Sequence, residues 1–333
     1  MRILGIETSC DETSAAVVDH ELHLRSNVVL SQDEIHAPYG GIVPELASRQ
    51  HIRSITFVVS ESLERAGMAV EEVEAFAVTQ GPGLIGSLLV GLSFAKGLAY
   101  AHARPLVPVD HLESHIYSAF IENRDLAYPI LALLVSGGHT SLYVLKEPLH
   151  FQLIAKTRDD AAGEALDKIA KFLELGYPGG PVIDRLAGDG NPDRFPFARP
   201  QMSDGSLDFS FSGFKTAGLR LIRKLGLTQA HQDFLDFIAS FEAAVIRTLL
   251  YNLDQAMTES DPNSLILCGG VARNRKLRAN FLELAAKRGV PGYIPSPELC
   301  TDNAAMVAAL AHKKLAKNPP QGLDLTLNAY PRR

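Results

Sequence analysis

Two histidines with helical spacing give this sequence its clearest chemical signal. His111 and His115 stand four residues apart, and His111 is separated by Asp110 alone from an apolar run that ends at Val109. Residues four apart on an α-helix share one face about a turn apart, so both imidazoles can reach one divalent ion. A plainer alternative stays open for the pair, in which the side chains only form hydrogen bonds on a polar face. A metal site would also need a third ligand.

The residues between the histidines argue against a metallopeptidase. Helical zinc peptidases place a glutamate directly after the first histidine, where it serves as general base. Here that position is Leu112, and the acid is Glu113, which points to another side of the helix.

A carboxylate near the end of the chain is the candidate third ligand. In the segment from Cys300 to Met306, Thr301 or Asp302 is predicted to cap a helix. Asp302 is also the acid at the start of this predicted helix, near the end of one of the two predicted halves of the chain. Together with the histidines it would form a site of two His and one carboxylate, with open positions for an oxygen ligand.

The composition is that of a globular protein of about two domains. The 333 residues are 46% hydrophobic and 21% charged, with no run of apolar residues long enough to span a membrane and no signal peptide. We therefore expect a cytoplasmic protein without membrane contact. Its three cysteines are too few and too dispersed for a thiolate metal cluster. The net charge of −6 argues against broad coating of nucleic acid but leaves an RNA substrate open.

The elements that must position these residues occur in two similar series. The first series has predicted strands at 2–7, 14–19, 26–31, 74–79 and 105–109, with helices at 44–66 and 84–102. The second has strands at 129–135, 141–145, 151–157 and 264–268, with helices at 163–175, 214–225, 230–257 and 273–288. A repeated order of three strands followed by alternating helices and strands predicts a duplicated actin-like (ASKHA, ribonuclease H-like) α/β fold, with a nucleotide cleft between two lobes.

The repeat also predicts the lobe boundaries. The N-terminal lobe is expected at 1–110, with a C-terminal helix at about 303–317 returning to it. The C-terminal lobe is expected at 111–302, with an ordered insertion at about 178–212 that is rich in Gly, Pro and Asp.

Each series opens with a hairpin whose turn carries polar or small residues. The first turn contains Asp11 and Glu12, which near a phosphate would require a bridging cation or a positioned water, although simple turn capping is equally compatible. The second turn contains Ser136, Gly137 and Gly138, whose successive N–H groups suit an anion.

Other turns offer weaker signals. The run from Gly81 to Gly86 resembles a dinucleotide fingerprint, but Pro82 lacks an N–H and the glycines continue along the helix, which favours close helix packing. Asn274 follows a double glycine at a strand end and can present a donor and an acceptor to an adenosine. The basic residues Arg273, Arg275, Lys276 and Arg278 form either a solvated helix face or a phosphate grip. Asp167 is either a ribose acceptor or a helical acid paired with Lys171.

Taken together, the motifs resemble one family along essentially the whole chain. They are the segments 5–13, 41–49, 81–84, 111–115, 135–140, 269–274 and 301–303. In this combination and order they are similar to the bacterial TsaD (Gcp, YgjD) family, the transferases that make threonylcarbamoyladenosine in tRNA.

The resemblance implies an activity and a set of site residues. Threonylcarbamoyl-AMP would bind in the cleft and pass its carbamoyl group to the N6 amine of the adenosine next to the anticodon, in tRNAs reading codons that begin with A, releasing AMP. His111, His115 and Asp302 would hold one Fe²⁺, or alternatively Zn²⁺, and Asp11 and Glu12 would act at the phosphate or reactive side. The residues assigned to the adenylate are Leu134, Val135, Ser136, Gly137, Gly138, Asp167, Gly180, Asp184 and Asn274.

The resemblance also implies partners. They are tRNA, a TsaB-like paralogue that forms a heterodimer with the chain, and a TsaE-like P-loop ATPase, with Mg²⁺ and ATP used by the wider complex. The helices at 44–66 or 84–102 could supply the dimer face, and could equally be part of the core. Three alternatives remain at this point: a metallopeptidase, a small-metabolite kinase of the same architecture, and a scaffold without catalytic activity.

Overall fold

The structure is a computed structural model that describes residues 1–318 and 326–331. The chain divides into two compact units. Unit 1 comprises Met1–Asp125 and the described residues from Glu298 onward, and unit 2 comprises Leu126–Pro297. None of the helices in these residues combines the length and the apolar character needed to cross a membrane.

Ten strands and twelve α-helices are present in the described part of the chain. The strands are β1 (Ile3–Glu7), β2 (Glu12–Val18), β3 (Leu24–Ser31), β4 (Ala75–Gly81), β5 (Leu106–Asp110), β6 (Ile130–Val135), β7 (Thr140–Leu145), β8 (Phe151–Lys156), β9 (Ser264–Cys268) and β10 (Gly292–Tyr293). The helices are α1 (Asp33–His36), α2 (Pro44–Ala66), α3 (Ile85–Ala101), α4 (His111–Tyr117), α5 (Ala119–Glu122), α6 (Ala162–Phe172), α7 (Gly179–Ala187), α8 (Ser212–Leu225), α9 (Phe234–Ser260), α10 (Arg275–Arg288), α11 (Pro297–Cys300) and α12 (Ala304–Lys317).

The two sheets have the same topology. In unit 1 the strand order is β3-β2-β1-β4-β5. The pairs β3/β2 and β2/β1 are antiparallel, and the pairs β1/β4 and β4/β5 are parallel. In unit 2 the order is β8-β7-β6-β9-β10, with the same pattern of directions. The predicted repeat of an α/β unit is thereby confirmed. The strand β10 was missed because it is only two residues long.

The division into units differs from the expected lobe boundaries. The sequence placed the first boundary after residue 110, whereas the division falls after Asp125. The reason is that α4 and α5 pack against α12, which belongs to unit 1. Lys314 of α12 contacts this region through Pro108, whose carbonyl accepts from its Nζ at 3.3 Å, and through Glu113, at 3.8 Å. The expected insertion at 178–212 begins with α7, a helix that was not predicted.

The returning helix expected at 303–317 is α12, and it packs closely on the central strand of unit 1. All its residues from Ala304 to Ala311 are buried. Gly5 of β1 makes this approach possible, because a Cβ there would lie 2.5 Å from the carbonyl oxygen of Ala304 and 3.0 Å from the Cβ of Ala308. A side chain at position 5 would therefore push α12 away from the sheet.

This packing predicts opposite effects for two glycine substitutions. Gly5→Ala should lower the free energy of unfolding by about 1–3 kcal/mol or more, since the added methyl group meets backbone atoms. Gly97→Ala is the matched control, because Gly97 lies within α3 with nothing within 4 Å of its virtual Cβ. There, alanine should stabilise the chain by about 0.5–1 kcal/mol through its higher helix propensity. Urea denaturation of both variants measures these changes, and equal stabilities would contradict the packing argument.

Candidate active site

The two histidines lie at the start of α4, directly after β5. Asp110 caps this helix, since its Oδ1 accepts hydrogen bonds from the amides of Leu112 and Glu113 at 2.9 and 3.0 Å. His111 and His115 are buried, and their rings meet edge to face with centroids 4.7 Å apart. The spacing therefore places both imidazoles on one side of a fixed helical turn.

Asp302 completes a compact set of candidate metal ligands. Its Oδ1 lies 3.0 Å from His115 Nε2 and 3.7 Å from His111 Nε2. One ligand atom from each of the three residues can be chosen so that all lie within 4.8 Å of one another. All three belong to unit 1, so this set needs no residue of unit 2.

The cap of α12 differs from the prediction. Neither Thr301 nor Asp302 caps the helix; the N-cap is Asn303, whose Oδ1 accepts from the amide of Met306 at 3.1 Å. The Asn303 amide group also donates to the carbonyl of Thr301 at 2.7 Å, which braces the turn. Because Asn303 performs the capping, the carboxylate of Asp302 is left to face the histidines.

Glu7, at the end of β1, belongs to this site and was missed by the sequence analysis. It is fully buried, and its Oε2 lies 3.3 Å from His111 Nδ1 and accepts a hydrogen bond from Thr79. Its other oxygen accepts from the amide of Ser9 at 2.5 Å. A carboxylate on Nδ1 fixes the ring so that Nε2 faces Asp302, as in many metal sites. The available signal was an acid at the end of an otherwise apolar strand, which must find a partner inside the protein.

The buried carboxylates make the site favour positive charge. Burial alone would lower the pKa of His111, but Asp302 and Glu7 outweigh it and raise that pKa to about 9. Burial would raise the pKa of Glu7, yet the neighbouring imidazole of His111 holds it below its usual value. The site thus retains a cation at neutral pH even when that cation is only the imidazolium.

Asp11 and Glu12 lie close enough to Asp302 to interact with it electrostatically. Burial is the main reason that the pKa of Asp11 is raised. Desolvation, followed by repulsion from Asp11 and Asp302, raises the pKa of Glu12 well above its usual value. Glu12 therefore holds its proton at higher pH than an ordinary glutamate, and can donate a hydrogen bond in that form.

Glycines of the next loop and helix hold the first turn in place. A Cβ at Gly83 would lie 2.5 Å from the carbonyl oxygen of Ser9, and one at Gly91 would lie 2.3 Å from the hydroxyl of Thr8. The amide of Leu84 donates to the Ser9 carbonyl at 2.8 Å. These contacts show the glycines serving close packing, as the sequence favoured over a dinucleotide fingerprint.

The second candidate set lies entirely in unit 2. It begins with the turn from Ser136 to Gly138, in which the Ser136 Oγ accepts from the amide of His139 at 3.1 Å. The side chains of Leu134 and Val135 are fully buried, so only their backbone can meet a ligand. Gly269 approaches this strand end, and a Cβ there would lie 2.4 Å from the carbonyl oxygen of Val135.

Asp167 connects α6 with the start of α7. Its Oδ1 accepts hydrogen bonds from the amides of Gly179 and Gly180 at 2.8 and 3.1 Å. A Cβ at Gly179 would lie 2.3 Å from that of Ala170, so this close approach requires glycine. The first amides of α7 thus donate to a carboxylate, and this contact occupies Oδ1 of Asp167.

Asn274 and Asp184 lie together at the start of α10. Arg275 pairs with Asp184, with Nε 3.0 Å from Oδ2 and its own amide 3.1 Å from Oδ1. Asn274 caps α10 by accepting from Leu277 at 2.8 Å, and donates to Glu242 at 2.6 Å. The side-chain amide of Asn274 thus has one N–H and one lone pair left for a ligand, which is the donor and acceptor that the sequence suggested.

Glu242 is a second site residue that the sequence analysis missed. It lies in the middle of α9 and is 1% exposed. Burial raises its pKa to about 7, although the hydrogen bond from Asn274 opposes this rise.

The basic cluster is partly committed to internal contacts. Arg275 pairs with Asp184, and Arg278 donates to the carbonyls of Ala272 and Pro295 at 3.2 and 3.1 Å. These two arginines therefore brace the start of α10, while Arg273 and Arg275 remain exposed, as the solvated-face interpretation expects.

Comparisons with known proteins identify one family for the chain. Residues 23–309 match the family model described as TsaD, tRNA N6-adenosine threonylcarbamoyltransferase. A protein of that name from Clostridium perfringens (strain 13 / Type A) is 47% identical over 329 residues, covering 99% of this chain and 96% of the relative. One from Thermodesulfovibrio yellowstonii is 47% identical over 333 residues, covering 99% of both.

Solved structures show the fold. The (R)-2-hydroxyglutaryl-CoA dehydratase component A of Acidaminococcus fermentans aligns with a TM-score of 0.56 and 16% identity, covering 95% of this chain and 99% of that one. The ROK hexokinase of Thermus thermophilus aligns with a TM-score of 0.51 and 16% identity, covering 96% and 100%. The predicted duplicated actin-like fold is confirmed.

The buried Glu242 predicts a pH-dependent stability. Its pKa of about 7, against 4.5 for an ordinary glutamate, means that the folded chain disfavours its charged form. The free-energy cost of ionising Glu242 inside the folded chain is absent below about pH 4.5, grows as the pH rises to about 7, and then stays constant. Glu242→Gln keeps an acceptor for Asn274 without the charge. It should therefore become more stable than the wild type across that window, reaching a difference on the order of 2–3 kcal/mol at pH 8.

Urea denaturation at pH 5 and pH 8 measures this difference. Glu259→Gln is the matched control, because it makes the same change at an exposed position of α9. A stability difference between Glu242→Gln and the wild type that is the same at both pH values would contradict the buried-carboxylate argument.

Proposed function

The chain belongs to the tRNA N6-adenosine threonylcarbamoyltransferase family, and from that membership we propose how its residues divide the reaction. It is an enzyme that modifies tRNA. We propose that its donor is threonylcarbamoyl-AMP and its acceptor the N6 amine of the adenosine next to the anticodon, in cytoplasmic tRNAs reading codons that begin with A. The carbamoyl carbon exchanges its bond to a phosphate oxygen for one to nitrogen, the amine loses a proton, and AMP leaves.

A divalent metal ion fits the unit 1 site. The observation that carries this proposal is the approach of His111, His115 and Asp302 to within 4.8 Å of one another among buried carboxylates. Nitrogen and carboxylate donors of this kind suit Fe²⁺ or Zn²⁺, and we propose Fe²⁺ as the resident ion. Such an ion would withdraw electron density from an oxygen of the carbamoyl or phosphate group.

The chain's own residues prepare this site. Glu7 holds the His111 ring by its Nδ1 at 3.3 Å, and so presents Nε2. We assign Asp11 and Glu12 to the phosphate or reactive side of the substrate. An ionised acid there would repel a phosphate, but the raised pKa of Glu12 favours its protonated form, which can donate a hydrogen bond to a phosphate oxygen.

We assign the adenylate to unit 2. The amides of Gly137 and Gly138 can donate to an anionic oxygen without a side chain in the way. Backbone groups of Leu134, Val135 and Ser136 line the same strand end. Asp167 and Asp184 are assigned to hold the ribose through carboxylate oxygens that also accept hydrogen bonds within unit 2, Gly180 offers a helix start without a side chain, and Asn274 offers its remaining donor and acceptor.

The transferase proposal predicts a large effect of losing a metal ligand. His111→Ala and Asp302→Ala should each slow product formation by about 100-fold or more, because several kcal/mol of charge stabilisation would be lost. The measurement is nucleoside mass spectrometry of unmodified tRNA incubated with the chain, its partner proteins, Mg²⁺ and ATP, and threonylcarbamoyl-AMP. His20→Ala is the control, since that side chain is 69% exposed.

Each outcome of this assay has a distinct meaning. Equal rates for the wild type, both ligand variants and the control would contradict the catalytic role of the metal set and leave the transferase activity in place. No product from any of them, while a homologous enzyme is active with the same partners, would contradict the proposed reaction.

We further propose that α2 and α3 bind a TsaB-like paralogue, and that a TsaE-like P-loop ATPase uses Mg²⁺ and ATP in the wider complex. Large apolar side chains on these two helices are exposed: Ile52 by 65%, Phe57 by 61%, Ile85 by 46% and Leu89 by 49%. The helices pack closely, since a Cβ at Gly86 would lie 3.2 Å from the Cβ of Ser48. Exposed apolar groups of this size are typical of a protein interface.

This interface predicts that one charge on α3 prevents the heterodimer. Leu89→Glu should weaken binding of the paralogue by about 100-fold, because an unpaired carboxylate would be buried in an apolar contact. Isothermal titration calorimetry measures the affinity. Leu153→Glu is the matched control, since Leu153 is 45% exposed on β8 of unit 2. Equal affinities of the two variants would exclude Leu89 from the interface.

A further inference from the structure

The described residues near the C-terminus form a strap on unit 1. We use C-terminal strap for residues 326–331. The amide of Tyr330 donates to the carbonyl of Gln80 at 3.1 Å, and the Gln80 side chain donates to the carbonyl of Asn328 at 2.7 Å. Lys96 donates to the carbonyl of Leu327 at 2.5 Å, and the side chain of Leu327 packs against the unit 1 core. The strap is therefore attached at several points along its length.

Tyr330 lies against a glycine at the end of β4. A Cβ at Gly81 would lie 2.4 Å from the Tyr330 carbonyl oxygen and 2.7 Å from Cδ2 of its ring. The φ angle of Gly81 is +154°, a conformation that other residues rarely adopt. The first glycine of the Gly81-Pro82-Gly83 run thus leaves space for this tyrosine.

The hydroxyl of Tyr330 reaches the cap of the metal-ligand helix. It donates to Asp110 Oδ2 at 2.5 Å, across 220 positions of sequence. The other oxygen of Asp110 accepts the amides of Leu112 and Glu113, the first turn of α4. A phenol on a carboxylate forms a charge-assisted hydrogen bond, which is stronger and more directional than one between neutral groups. With both oxygens occupied, the Asp110 side chain has one orientation.

That orientation matters for the metal ligands. His111 is the first residue of α4 and His115 lies one turn on, so any rotation of the first turn moves both imidazoles relative to Asp302. Metal ligands need to be held within about 0.5 Å of their working positions by the residues behind them. Asp110 is one such residue, and Tyr330 is what fixes Asp110.

We propose that Tyr330 is a positioning residue of the metal site, and that the C-terminal strap is part of that site. The inference rests on the metal site of the proposed function. It gives a role to the C-terminal strap and to the glycine at position 81, which no catalytic argument above requires.

The test is the affinity of the apoprotein for Co²⁺, followed by the visible absorption of the bound ion. Tyr330→Phe keeps the ring beside Gly81 and removes only the hydroxyl. It should weaken Co²⁺ binding by about 3- to 10-fold and change the absorption band, a smaller effect than the roughly 10- to 100-fold typical of residues that touch a ligand directly. Tyr39→Phe is the matched control, since Tyr39 is 57% exposed and away from α4 in sequence.

A double-mutant cycle separates positioning from general stability. Asp110→Asn removes the charged acceptor, so Tyr330→Phe made in that background should cause no further loss of Co²⁺ affinity. A purely structural role would lower the stability of the apoprotein to urea and leave the Co²⁺ affinity and absorption unchanged. Additive effects in the cycle would overturn the proposal as well.

The proposal and the metal site can fail separately. If the wild type binds Co²⁺, His111→Ala abolishes that binding and Tyr330→Phe matches the wild type, only the role of Tyr330 is overturned. If the wild type binds no Co²⁺, the metal site itself is overturned, and the positioning role with it.

Discussion

The candidate site of unit 1 depends on an excess of buried negative charge. Glu7 and Asp302 approach the two buried histidines, and Asp11 and Glu12 lie near enough to Asp302 to interact with it. Removing a carboxylate from water costs on the order of several kcal/mol, and a second one nearby adds repulsion. Such a cluster is stable only if protons or a cation neutralise part of it. The pKa of about 9 for His111 and the raised pKa of Glu12 are the protein's response when protons alone are available. A divalent cation held by His111, His115 and Asp302 would neutralise part of the same charge.

Close packing of the backbone brings the groups of this cluster together. His115 and Asp302 are 187 positions apart in sequence, and they meet because α12 lies directly on β1. Gly5 permits that contact, and Gly83 and Gly91 permit the equivalent contacts with the first turn. Side chains at these positions would meet Ala304, Ser9 and Thr8, and so would push α12 or the first turn away from its present place.

Much of the local structure could be predicted because its causes are local. The helix Pro44–Ala66 begins at a proline and is followed by Gly67, which caps it. Turn residues also separate the strands of each series. The histidine spacing likewise predicted a shared face. Contacts distant in sequence left weaker signals. Thr301 or Asp302 was predicted to cap α12, but their neighbour Asn303 does so, and three adjacent polar residues with capping ability leave the choice open in the sequence. Glu242 and Tyr330 are recognisable only from the residues that they contact.

The two hairpin turns show how one fold can acquire opposite electrostatic preferences. The turn after β1 and the turn after β6 occupy equivalent places in two sheets of the same topology. The first has Asp11 and Glu12 and lies beside a cluster of acids, whereas the second has Gly137 and Gly138 and exposes backbone N–H groups. Since sheet topology is the same, the side chains alone make one turn suited to a cation and the other to an anion. In the proposed function the acidic turn adjoins the metal site and the glycine turn receives the anionic adenylate, so the duplicated fold supplies one kind of turn in each copy.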